Sequence, residues 1–150
     1  MSPHFARRPA QMADLEALVE LRLIAMRPSL EKVGRFKPER ARQRFVDEFA
    51  PEHTTILLAD DQLIGCYALF PREQGLYLAH LYISPAHQGR GIGQVIVQEL
   101  KAKAAAAGED IYLTAITDSD AEHFYVRHGF AAIDRDDIEV EMVWRSPPNA

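Results

Sequence analysis

The 150-residue chain is 47% hydrophobic and 26% charged, which fits one domain spanning 1–150 and leaves little room for a second. A formal net charge of -5 lacks the basic face that a general nucleic-acid binder needs. No apolar run approaches the roughly 20 residues that cross a membrane, so neither nucleic acid nor membrane is expected as a partner.

The first ten residues carry Arg7 and Arg8 without the apolar stretch of a secretory leader, and a cytoplasmic location is expected. Phe5 to Arg8 reads as a short first strand. From Asp14 onward, Leu15, Leu18, Val19, Leu23 and Met26 recur at three- and four-residue steps, one face of an amphipathic helix that Pro28 is expected to stop. Pro38 to Phe49 reads as a second helix. Ala41, Phe45, Val46 and Phe49 share one face of it, Pro38 suits its start and Pro51 marks its exit.

Strands come next. Thr54 to Ala59 is β-branched and apolar, Asp60-Asp61 is a turn signal, and Leu63 to Phe70 completes a hairpin. Cys66, the only cysteine, lies in this run and is expected in the core; no internal disulfide or Cys-based metal site can form, and the six histidines have no metal spacing. Leu76 to Ile83 is a further strand, ended by Ser84-Pro85 because proline cannot donate to a ladder. Gly91 opens a long helix with Ile92, Val95, Ile96 and Leu100 on its apolar face, and Gly108 is placed to cap it. Ile111 to Ile116 is a strand. Ser119 with Glu122 is a capping box for a helix over 121–128, Gly129 ends that helix and Phe130 packs back on it. Ile138 to Trp144 reads as the last strand. Helices alternating with strands after an antiparallel start argue for a mixed α/β sheet, α+β in class, flanked by helices.

The segment after Pro85 has chemical potential. Gly89, Gly91 and Gly93 precede the first turn of a helix, whose free N–H groups and positive dipole end favour an anion. Glycines let the backbone curl into a nest, and the natural guest is a phosphate or pyrophosphate. Arg90 adds positive charge and Gln88 a neutral donor. A dinucleotide G-x-G-x-x-G does not fit, since its last position falls on Gln94 or Ile96, and no Gly-Lys-Ser/Thr is present. A plain Gly-rich turn remains the alternative on these residues alone.

Two motifs together resemble a family. Q-G-R-G-I-G at 88–93 is similar to the Q/R-x-x-G-x-G/A signature of the GNAT superfamily of N-acetyltransferases, and Phe124-Tyr125-Val126-Arg127-His128-Gly129-Phe130 resembles its F-Y-x-x-x-G-F run. The specific part of the likeness covers about 77–130. It implies a mixed, mainly antiparallel central sheet with a splayed central strand pair. It also implies acetyl-CoA as co-substrate, without a metal, and direct attack of an acceptor amine on the thioester. The implied coenzyme-binding residues are main chain at Leu81, Tyr82 and Ile83, the loop Gln88, Gly89, Arg90, Gly91, Ile92, Gly93 and Gln94, and Asp118, Phe124, Tyr125 and Arg127. Tyr125 matches the tyrosine that protonates the leaving thiolate.

The base is less defined. Some members carry a strand carboxylate where this chain has Tyr77, which cannot take that part at neutral pH. His80 has a suitable ordinary pKa and shares a side with Tyr82 if no bulge intervenes; a strand histidine satisfied by a neighbour, or a water chain in its place, are the alternatives. Asp118 replaces a frequent Asn: it could take a proton or attract a cationic amine, or be a helix-start acid. The acceptor wall implied by the family draws here on Arg27, Glu31, Phe70 and Tyr77, where Arg27 and Glu31 either read a zwitterion or are surface charges. The acceptor is an amine of a small molecule or peptide, and no sequence feature decides whether a homodimer forms. A non-catalytic acyl-CoA-binding or sensing domain is the competing function, and another nucleotide-binding module is the third.

Overall fold

Strand β1 (Ala6–Pro9) is followed by helices α1 (Leu15–Lys32) and α2 (Pro38–Glu48) and by strands β2 (Thr54–Ala59), β3 (Gln62–Arg72) and β4 (Gly75–Ile83). Helix α3 (Ile92–Ala107), strand β5 (Ile111–Ile116), helix α4 (Asp120–Arg127) and strands β6 (Ala131–Arg135) and β7 (Glu139–Trp144) complete the order. These come from a computed structural model that describes residues 3–148. The strands form one seven-stranded sheet in the order β1-β2-β3-β4-β5-β7-β6. β1–β2, β2–β3, β5–β7 and β6–β7 are antiparallel and β4–β5 is parallel, so the sheet is mixed and mainly antiparallel. Among the described residues the β4–β5 ladder pairs Leu76 with Ile111 and Tyr77 with Tyr112 and goes no further.

The chain divides into two compact units. The first runs through Ala68 and resumes over His80–Gly93. Its core takes Leu18, Val19 and Leu21 from α1, Phe45 from α2, Ile56 from β2, Cys66 from β3 and Tyr82 from β4. Helix-period spacing puts the α1 residues on one stripe, and burying a leucine as fully as Leu18 is worth about 2 kcal/mol. The β2–β3 hairpin turns on Asp60 and Asp61, both left-handed at φ 51 and 63°, as a two-residue turn matched to strand twist requires. Cys66 is fully buried in this core, as expected, and burial pushes its thiol up to about 12.

The second unit comprises Leu69–Ala79 and Gln94–Ala150. Strand β5 alternates as expected of a half-buried strand, with Ile111, Leu113 and Ala115 inside. From β7, Val140, Met142 and Val143 are buried. From α3, Ile96, Val97, Leu100 and Ala104 are buried.

Two expectations need correction. Pro28 does not stop α1, which continues to Lys32 with the proline inside it. Pro28 removes the bond to the Ile24 carbonyl, and both residues are exposed, so water can serve that carbonyl. Strand β6 was not expected: Ala131–Arg135 is exposed throughout and lacks the alternation that betrays a half-buried strand.

Candidate functional site

The glycine loop lies in the first unit. The Ser84 amide donates to the Ile64 carbonyl at 2.8 Å, closing β4, and a single 3-10 turn at Pro85–His87 leads into the loop. Gly89 and Gly91 are left-handed, at φ 75 and 85°, with open space where a side chain would stand. Glycine is required there for its backbone conformation, not for room. Gln88 is not a free donor: its side-chain amide donates to the Ile83 carbonyl at 2.8 Å and ties the loop back to the strand end. Arg90 and Gln94 are exposed, Gly93 is half-buried, and Ile92 is buried and anchors the first turn of α3. Left-handed glycines on either side of an exposed Arg90 thus lead into the start of α3, the positive end of a helix dipole, where an anion is favoured.

Strand β4 carries the second feature. His80 is left-handed at φ 55° in mid-strand, a conformation that costs a non-glycine residue about 1–2 kcal/mol. It marks a kink, and the His80 carbonyl accepts the Cys66 thiol at 3.2 Å. Despite the kink His80 and Tyr82 meet, with Nδ1 2.9 Å from the phenol oxygen. The ring is almost wholly buried and lies edge-on to Phe45 at 4.8 Å.

Around His80 stand two residues that the sequence reading missed. Nη1 of Arg22, buried in α1, lies 3.2 Å from His80 Nδ1 and donates to the Tyr82 hydroxyl at 2.5 Å. Nε2 of His80 lies 3.0 Å from Oε2 of Glu48, the last residue of α2. That bond, with Arg44 3.2 Å away on the other side, draws the Glu48 carboxyl down to about 2. Burial holds the Tyr82 phenol well above its ordinary range, so it keeps its proton. A sequence signal existed for Arg22: with Leu15, Leu18 and Met26 it completes the apolar stripe of α1, where a charge is out of place. None existed for Glu48.

Tyr125, in the second unit, is buried in α4, its ring 5.3 Å from Phe124 and 5.3 Å from Phe130. Phe124 also meets His128 at 4.6 Å, and Arg127 is exposed. Half of the expected capping box is present: Ser119 Oγ accepts from the Glu122 amide at 3.1 Å, but the Glu122 carboxylate accepts from the Asp118 amide at 2.7 Å, one residue before the cap. Buried Glu122 is then clamped by both terminal nitrogens of Arg135, which lowers its pKa. Asp118 is left-handed at φ 60°, and its exposed carboxylate lies 4.0 Å from Arg135.

The acceptor-wall candidates fall into two groups. Arg27 and Glu31 pair at 2.8 Å on the exposed face of α1, and the Arg27 guanidinium also lies 5.0 Å from the Phe36 ring centre. Tyr77 donates to or accepts from Thr114 Oγ1 at 2.8 Å. Arg72 stacks over Tyr77 at 4.5 Å and approaches Phe70 at 5.9 Å, gathering these two candidates around one guanidinium. Among the described residues no group of three His, Cys, Asp or Glu could hold a metal, and no helix is long and apolar enough to cross a membrane.

The family model for an acetyltransferase (GNAT) domain matches residues 24–145. An amino-acid acetyltransferase of Ralstonia nicotianae is 28% identical over 133 residues, which are 87% of this chain and 27% of that protein. PaiA N-acetyltransferase from Thermoplasma acidophilum, solved in complex with coenzyme A, superimposes with a TM-score of 0.76 at 19% identity, over 95% of this chain and 99% of that one. N-acetylglutamate synthase from Neisseria gonorrhoeae, complexed with coenzyme A and N-acetyl-glutamate, gives a TM-score of 0.68 at 19% identity, over 99% of this chain and 36% of that one. At such identities the two structures speak to the fold. The match at 24–145 takes in the glycine loop, the kinked β4 and the Phe124–Phe130 run, and the chain belongs to the acetyltransferase (GNAT) family.

Proposed function

We propose that the chain binds acetyl-CoA along β4 and the glycine loop and passes the acetyl group to an amine by direct attack on the thioester. The observation that carries this reading is the pair of left-handed glycines that lead into α3, one 3-10 turn after a strand paired with β5 at Leu76 and Tyr77. The loop amides and Arg90 suit the diphosphate. Beyond Tyr77, β4 has main-chain groups free of the β5 ladder, which an extended amide-bearing arm can use as an added strand. The coenzyme supplies an activated acyl group when bound; the chain's own residues hold, orient and manage protons.

An alkyl amine with a pKa near 10.4 is neutral only about once in 2,500 molecules at pH 7, so its proton must leave before attack. His80 could take it only by giving up a bond already made at Nδ1 or Nε2. We therefore read water as the acceptor of that proton and His80 as part of the scaffold. Tyr125 is the general acid of this reading: its phenol, carried on a capped helix and wedged between aromatic rings, protonates the departing thiolate. The relatives named for amino acids support an amino acid or a derivative of one as acceptor. Arg27 with Glu31 is the pair on this chain suited to a zwitterion.

The test is release of free thiol from acetyl-CoA with a panel of amino acids, polyamines and peptide N-termini. Turnover with at least one amine is expected, and Tyr125→Phe should lower kcat by about 100-fold or more. Binding of acetyl-CoA without turnover on any amine would transfer the chain to the non-catalytic acyl-CoA-sensing class.

A further inference from the structure

Arg22, Tyr82, His80 and Glu48 come from three elements of the first unit, and the guanidinium sets the donor order among them. A guanidinium only donates, so His80 must present a lone pair at Nδ1 to Arg22 Nη1, 3.2 Å away. The same lone pair faces the Tyr82 hydroxyl at 2.9 Å, and the phenol oxygen accepts from Arg22. The ring proton therefore sits on Nε2 and is donated to Glu48 at 3.0 Å. The chain of donors runs one way, from a buried cation to a half-exposed carboxylate.

Two members of this chain stand where they are locally disfavoured. His80 is left-handed without being glycine. Glu48 closes α2, where the negative end of the helix dipole repels a carboxylate. The bond between them gives each a reason to be there. We propose that Glu48 and Arg22 are positioning residues: acting on the His80 ring from opposite sides, they hold the β4 kink and so aim the main chain of Leu81–Ile83 at the acyl-CoA arm. The assignment rests on the functional reading above, and it gives both residues their part through the His80 ring.

Acetyl-CoA kinetics and coenzyme A calorimetry on Glu48→Ala, Glu48→Gln and Arg22→Met test it. Glu48→Ala should raise the KM for acetyl-CoA and the coenzyme Kd roughly tenfold with a much smaller fall in kcat. Glu48→Gln keeps an oxygen for the Nε2 proton and should recover most of that loss. Combining Glu48→Ala with Arg22→Met should raise KM by less than the product of the single effects. Wild-type KM in Glu48→Ala, or Glu48→Gln as impaired as Glu48→Ala, overturns the proposal. Should Glu48→Ala not fold, the nitrogen chemical shifts of His80 in the wild type decide: a protonated Nε2 and bare Nδ1 are expected, and the reverse tautomer overturns it. A wild type that binds no coenzyme A removes the functional reading and this inference together, whereas a wild type that binds it beside an unaffected Glu48→Ala removes the inference alone.

Discussion

Gly65 and Glu48 illustrate how single residues set the geometry of β4. A Cβ on Gly65 would stand 2.7 Å from the Tyr82 carbonyl oxygen, which is backbone and cannot swing away. Gly65→Ala should therefore push β3 from β4 and lower unfolding free energy by about 2–3 kcal/mol, read by urea denaturation. For Glu48 the expectation concerns acid. Its folded pKa of about 2 lies below the ordinary 4.5, so its contribution is full above the ordinary value and fades as pH falls towards 2. The side chain is 42% exposed, and solvent screening cuts the contribution to about 1 kcal/mol. Unfolding free energy measured from pH 6 down to 2 should fall more steeply in the wild type than in Glu48→Gln, and equal slopes would refute the pairing. At this scale, motif residues were legible because their spacing is local. Glu48 meets His80 across 32 positions of chain, and no local pattern announces such a partner.

The elements divide along the same line. Helix α4 and its cap were legible because Ser119 and Glu122 settle the first turn within four residues. Pro28 misled because its effect depends on which side of α1 faces water, a tertiary fact, and β6 was missed because an exposed edge strand needs no apolar alternation. The structure adds to α4 a tie the capping motif does not contain, the clamp of Arg135 on Glu122. The Glu122 side chain is 7% exposed, so removing the guanidinium leaves a poorly solvated carboxylate that still accepts from the Asp118 amide. Arg135→Ala should destabilise the fold in urea unfolding by more than Ser119→Ala, which removes an ordinary helix cap worth roughly 1 kcal/mol. The reverse order would mean that the clamp adds little to the fold.

At the scale of the molecule, what matters is whether the loop at 88–93 recognises diphosphates in general or one coenzyme. A nest of amides at a helix start would hold the diphosphate of NAD or the phosphates of ATP as readily as that of coenzyme A. Discrimination must then come from β4, whose main chain beyond Tyr77 is free of the β5 ladder and can bond an extended arm that the other two ligands lack. A ligand that binds only the folded chain at 100 times its Kd stabilises it by about 2.7 kcal/mol, which in a domain of this size raises Tm by roughly 5–10 °C. Coenzyme A should produce that rise, with ATP and NAD well below it at the same concentration. Gly91→Ala separates loop from strand. The space around Gly91 is open, so the substitution strains only the left-handed backbone and should lower Tm slightly in the absence of ligand. If the curl of the loop holds the diphosphate, the variant should also lose most of the coenzyme-dependent rise. A variant that kept the full rise would place the affinity elsewhere and leave the glycines as a turn.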